Sequence, residues 1–141
     1  MDMAQGSRAV HDLSELVGLW TGQLDGKTVL KRSGRMVMDL NQQLDEIERE
    51  MMQLAEVTRA HNGTGLQLTL QRRATGAVAL RWKAGAKALS AEALASRLDR
   101  LPAEAARWYR DTEASARWLN ARERLVRHAR QVMRDLYAVE N

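Results

Sequence analysis

Residue types able to do chemistry occur in this chain, but not in the groupings that chemistry needs. The histidines are His11, His61 and His128, with no regular spacing between them, and cysteine is absent. A metal centre needs three or four convergent ligands, and without cysteine there is no thiolate ligand, thiol nucleophile or disulfide. Lys27-Thr28 follows Gly26 as in a phosphate-binding loop, yet Gly22 and Gly26 enclose three residues where that loop needs four. Carboxylates crowd residues 39–56, but they interleave with an apolar seam and read as the solvated face of a helix. The few serines lie in no nucleophile elbow. No set of residues supplies nucleophile, base and oxyanion donor together. The sequence therefore predicts no catalytic residue, no metal and no cofactor, and a binding protein rather than an enzyme.

The chemistry that remains is electrostatic. The formal net charge is +4, and its placement says more than its size. Residues 39–56 carry six acids (Asp39, Asp45, Glu46, Glu48, Glu50 and Glu56) against the single Arg49. From there to Glu92 no acid occurs, while Arg59, Arg72, Arg73, Arg81, Lys83 and Lys87 supply six positive charges. A second basic cluster, Lys27, Lys31, Arg32 and Arg35, precedes the acidic stretch. Segregated charge is the footprint of a charged partner.

The elements that carry these residues follow from periodicity. Val10, Leu13, Leu16, Val17 and Trp20 mark a short amphipathic helix over 8–21, with Ser7 as its cap. Asp25-Gly26 reads as a turn and 27–34 as a connection, in which Thr28-Val29-Leu30 has the makings of a short strand. Over 35–60 the set Val37, Leu40, Leu44, Ile47, Met51 and Leu54 is a heptad seam, stopped by Asn62-Gly63. Packing against another helix explains that seam better than any ligand role for its methionine.

Period two then takes over in 65–83. Leu66, Leu68 and Leu70 alternate with Gln67, Thr69 and Gln71; after a loop containing Gly76, Val78, Leu80 and Trp82 alternate with Ala79, Arg81 and Lys83. Two such runs joined by a short glycine loop make a β-hairpin with one apolar and one polar, basic face. A lone hairpin is marginal in water, so the apolar face must lie on helices. Ser90 caps a short helix over 90–99. Pro102 suits the first turn of a long one over 102–139, with Ala114, Trp118, Ala121, Leu125, Ala129, Val132 and Leu136 facing inward. Arg110, Arg117 and Arg124 share a face of that helix, and Glu113 and Glu123 are spaced to pair with Arg117 and Arg127.

Composition agrees. The 141 residues fit a single domain, 1–141, of α+β class: mainly α with one β-hairpin, inserted into a long antiparallel helical pair with short flanking helices. Phe is absent, Pro occurs once, and the apolar set is dominated by aliphatic residues, which suits helix packing. The most apolar N-terminal stretch, 16–24, is too short to span a bilayer and lacks a signal-peptide pattern, which points to a cytoplasmic protein with no membrane partner.

The hairpin segment Leu66 to Lys83, LQLTLQRRATGAVALRWK, resembles that of a small uncharacterised family encoded on integrating conjugative elements, some of whose members are labelled integrase regulators. The likeness lies in a basic strand, a Thr-Gly turn, and Leu80-Arg81-Trp82 followed by a basic residue, with Lys83 where the family pattern has Arg. It extends upstream to Leu16-Val17-Gly18-Leu19 and Gly26-Lys27. It implies an accessory protein of a mobile element and no defined mechanism.

Two functions follow as expectations. In the first, the chain binds nucleic acid, DNA rather than RNA, through Arg72, Arg73, Arg81, Lys83 and Lys87 with Lys27, Lys31, Arg32 and Arg35. Arginine and lysine on a two-stranded ribbon can track phosphates, and Gln67, Thr69 and Gln71 on the same face can reach base edges. The plainer account of those charges is protection of strand edges from aggregation. In the second, the chain is a helical protein-interaction module, whose basic face meets an acidic protein or whose heptad seam makes a homodimer.

Overall fold

Asp25 begins the first helix of the computed structural model, which describes residues 25–61 and 63–140. Its side chain accepts a hydrogen bond from the Thr28 N–H at 2.7 Å, which stabilises the carboxylate and lowers its pKa. Helix α1 therefore spans Gly26–Ala60, nine residues longer at its start than the seam predicts. Residues 27–34 are neither a connection nor a strand; they are the first turns of α1. The apolar pattern fades there because Ser33, a polar residue, takes an inward position and bonds the Leu30 carbonyl at 3.0 Å. Gly34 also has no side chain to mark a face; a Cβ on it would lie 3.4 Å from Cε2 of Tyr137. The expected helix over 8–21 lies outside the described residues.

The hairpin comprises β1 (Leu66–Arg72) and β2 (Val78–Ala84), antiparallel, with Leu68 opposite Trp82 and Leu70 opposite Leu80. Gly76 turns the chain at φ +90°. A two-residue strand β3 (Lys87–Ala88) folds back onto β2 after Gly85, so the sheet has the order β1-β2-β3. Helix α2 (Ala91–Leu98) starts at Ser90, whose hydroxyl accepts from the Ala93 N–H at 3.1 Å. Helix α3 spans Ala103–Glu140, and the Pro102 carbonyl accepts its first helical hydrogen bond. The chain is mainly helical with a small antiparallel sheet, an α+β arrangement of long helices flanking a hairpin.

The core forms where the hairpin's apolar face meets both long helices. Leu66, Leu68, Val78, Leu80 and Trp82 pack against Ile47, Met51 and Ala55 of α1 and Tyr109, Ala116 and Leu119 of α3. The α1 seam is thus used inside the chain: Leu40, Ile47 and Met51 are buried, and Val37, Leu44 and Leu54 half-buried.

The inward face of α3 is not the apolar stripe that its sequence suggests. Trp118 is 65 % exposed and Leu125 71 %, and Val132 and Leu136 are exposed with them. The buried side is Ala106, Tyr109, Thr112, Ala116, Leu119 and Glu123, on nearly the opposite side of the helix. The reason lies in the strands. Both outer edges of the hairpin carry backbone groups out of reach of the other strand, and each one buried without a partner costs about 1–3 kcal/mol. The α3 face carrying Asn120 and Glu123 can satisfy them, whereas the Trp118–Leu125 face cannot.

Candidate nucleic-acid interface

The two long helices hold the hairpin by its edges. On the β1 side, the Thr58 hydroxyl of α1 donates to Ala55 O and accepts from the Leu68 N–H at 2.9 Å. On the β2 side, the Asn120 amide of α3 pairs with both backbone groups of Leu80, and Glu123 Oε2 accepts from the Val78 N–H at 3.0 Å. Farther along β2, Trp82 O accepts from the Leu89 N–H. Thr64 caps the Leu66 N–H and bonds the Tyr109 hydroxyl. The buried Glu123 side chain is held from two sides, by Arg127 Nε at 3.3 Å and by the Val78 N–H.

With its apolar face buried and each edge bonded in part, the hairpin turns outward a face carrying Gln67, Thr69, Gln71, Ala79, Arg81 and Lys83. Arg81 and Gln71 are exposed and touch at 3.4 Å, Lys83 is half-buried, and Lys87 is exposed on β3. Arg73 is exposed in the turn. Arg73, Arg81, Lys83 and Lys87 pair with no carboxylate among the described residues. Arg72 differs. It leaves the free set, because its guanidinium bonds Glu48 of α1 at 2.7 Å, which raises its own pKa and lowers that of Glu48. Arg72 thereby ties the turn to α1.

Lys27, Lys31, Arg32 and Arg35 do not join the hairpin. From Arg35 to Glu48, the contact of Arg72, is about 20 Å along α1 at 1.5 Å per residue. Asp39, Asp45 and Glu46 lie on the helix between. Lys27, Lys31 and Arg35 instead rim, with Arg134 of α3, an apolar groove of about 720 Å³ floored by Leu30, Val37, Met38 and Tyr137. The last helix thus contributes Arg134 to the α1 cluster. Its Arg110 pairs with Asp99 at 3.0 Å, and Arg127 with Glu123 as the spacing predicts. Glu113 makes no ion pair of ordinary length with Arg117.

The aromatic residues are arranged for packing. Tyr109 is fully buried, touching Trp82 and Trp108 edge-on, and Trp108 is half-buried with its ring stacked on His61 at 3.9 Å. The Trp108-Tyr109 pair is therefore not an open platform for bases. The indole N–H of Trp82 is buried without a hydrogen-bond partner of normal geometry. Glu113 lies beside it; burial raises the pKa of that carboxyl, partly offset by the indole and by the charge of Arg117.

Among the described residues no group of His, Asp or Glu is placed to hold a metal ion, and no helix is long and apolar enough to cross a membrane. No protein-family model, curated protein or solved structure matches the chain.

Proposed function

We propose that the chain is a non-enzymatic accessory protein of a mobile element that binds nucleic acid through the outward face of its hairpin. The observation that carries this is a rigidly held ribbon whose open face bears Arg81 and Lys83, flanked by Arg73 and Lys87, in a stretch of sequence without one acid. Thr58, Asn120 and Glu123 already bond backbone groups on the strand edges, which leaves less for the purely protective account of these cations to explain. In Leu80-Arg81-Trp82-Lys83 the alternate residues divide between core and outward face, so the mobile-element resemblance falls on a segment that carries exposed Arg81 and half-buried Lys83. Duplex DNA is the favoured target, because a two-stranded ribbon enters its major groove and not the narrow one of A-form RNA. Such a protein would work in the cytoplasm.

The test is fluorescence anisotropy with a labelled DNA duplex, single strand and RNA duplex across a salt series. Four phosphate contacts give a log–log salt slope of about −3 to −4 on duplex DNA. Changing Arg73, Arg81, Lys83 and Lys87 to Glu should abolish binding; changing Lys27, Lys31, Arg32 and Arg35 to Glu should reduce it less. Equal binding by wild type and the hairpin variant, or no binding by either, overturns the proposal.

A further inference from the structure

The apolar stripe on the outside of α3 has no partner in the described chain. Trp118, Leu125 and Val132 recur at heptad spacing, Leu136 extends the row, and Ala114, Ala121 and Ala129 lie between the large side chains. From Trp118 to Val132 the row runs about 21 Å, the length of two heptads. Large side chains alternating with alanines form knobs and shallow holes, the relief that another helix fits. An isolated exposed leucine needs no explanation, but a regular row on one face marks an interaction surface.

The charges beside the row select the occupant. Arg117 and Arg124 are exposed along one border and pair with no carboxylate among the described residues; His128 lies on the same side. Arg122 borders the other side and reaches Glu50 at 2.9 Å. The exposed positions of α3 between Asp111 and Asp135 carry no acid. A second copy of the same helix would set Arg117 and Arg124 against their own counterparts in an antiparallel pair, and against Arg122 in a parallel one, which is repulsive in both. A helix with acidic residues at the border positions would complement both edges. We infer that the outer face of α3 docks an acidic amphipathic helix of a partner protein, held by Trp118, Leu125 and Val132 and oriented by Arg117 and Arg124. This inference is independent of nucleic-acid binding by the hairpin.

Two synthetic three-heptad helices test it, with leucine at the seam positions and either glutamate or lysine at the borders, each fluorescently labelled. The full chain should bind the glutamate peptide at least tenfold tighter than the lysine peptide. W118E/L125E should lose that binding with an unchanged melting temperature. R117E/R124E should exchange the preference, favouring the lysine peptide. Equal binding of the two peptides overturns the inference, as does a lowered melting temperature of W118E/L125E, which would mean the chain itself covers the stripe. Tighter peptide binding by L16E/W20E would identify the chain's own N-terminal residues as the occupant, also against it. So would concentration-dependent dimerisation in sedimentation that W118E/L125E removes. Binding to phosphatidylserine vesicles without binding to the glutamate peptide would assign the stripe to a membrane surface instead.

Discussion

The Asn120 side chain treats Leu80 as a neighbouring strand would: its oxygen accepts from the Leu80 N–H at 2.8 Å and its amide donates to the Leu80 carbonyl at 3.1 Å. One side chain on a helix thereby completes the backbone hydrogen bonding of a strand edge. Glu123 on the same helix serves the Val78 N–H of that edge, and Thr58 on α1 serves the Leu68 N–H of the other.

Asn120→Leu keeps the side-chain size and leaves both Leu80 groups unpaired in a half-buried setting. It should lower unfolding free energy by about 2 kcal/mol, read from urea denaturation. Asn120→Asp retains the acceptor for the N–H but sets a carboxylate against the Leu80 carbonyl, and should also destabilise.

Thr58→Val is close to isosteric and removes the acceptor of the buried Leu68 N–H. A loss of about 1–2 kcal/mol is expected. Amide exchange of Leu68 should speed up more than that of Leu80, because only the β1 edge is opened.

The Glu48–Arg72 pair is largely exposed, so water screens it and its contribution is small. Its folded carboxylate has a pKa below the ordinary 4.5, so its contribution is present above pH 4.5 and disappears as pH falls through the lowered value. Glu48→Gln should therefore melt below wild type at pH 7, with the gap closing in acid.

Glu113 has the opposite sign. Burial raises its pKa above 4.5, so the folded state holds the proton more tightly than the unfolded one. Stability falls as pH rises from 4.5 through the raised value, and the penalty persists above it. Glu113→Gln should raise the melting temperature at pH 7, and the difference should vanish below pH 4.5 in a calorimetric pH series. Its amide oxygen can still approach the indole N–H of Trp82.

Much of the layout was legible because it depends on local rules. Strict alternation in 66–82 required a hairpin with Leu68 and Trp82 on one face, and Ser90 and Pro102 marked where helices begin. The start of α1 was missed because Gly26 and the cations after it obscure the apolar period. The signal was there in Asp25, three residues before Thr28, as a cap. β3 is too short for any periodicity, and only the glycine at 85 hints at it. The candidate site was legible as a set of charges but not as a place. Nothing in the spacing says that Arg72 reaches Glu48, or that Lys27–Arg35 gather with Arg134 around a groove at the other end.

The basic, acid-free hairpin and its flanking helices were determined by the sequence, since alternation, capping and charge are properties of neighbouring residues. The tertiary structure alone decided which face of α3 turns inward. Hydrophobic period favours the Trp118–Leu125 stripe, but the opposite face supplies hydrogen-bond partners to Val78 and Leu80 and still buries Tyr109, Ala116 and Leu119, so it satisfies polar and apolar demands together. Asn120 and Glu123 therefore face the core, and the stripe is left facing outward.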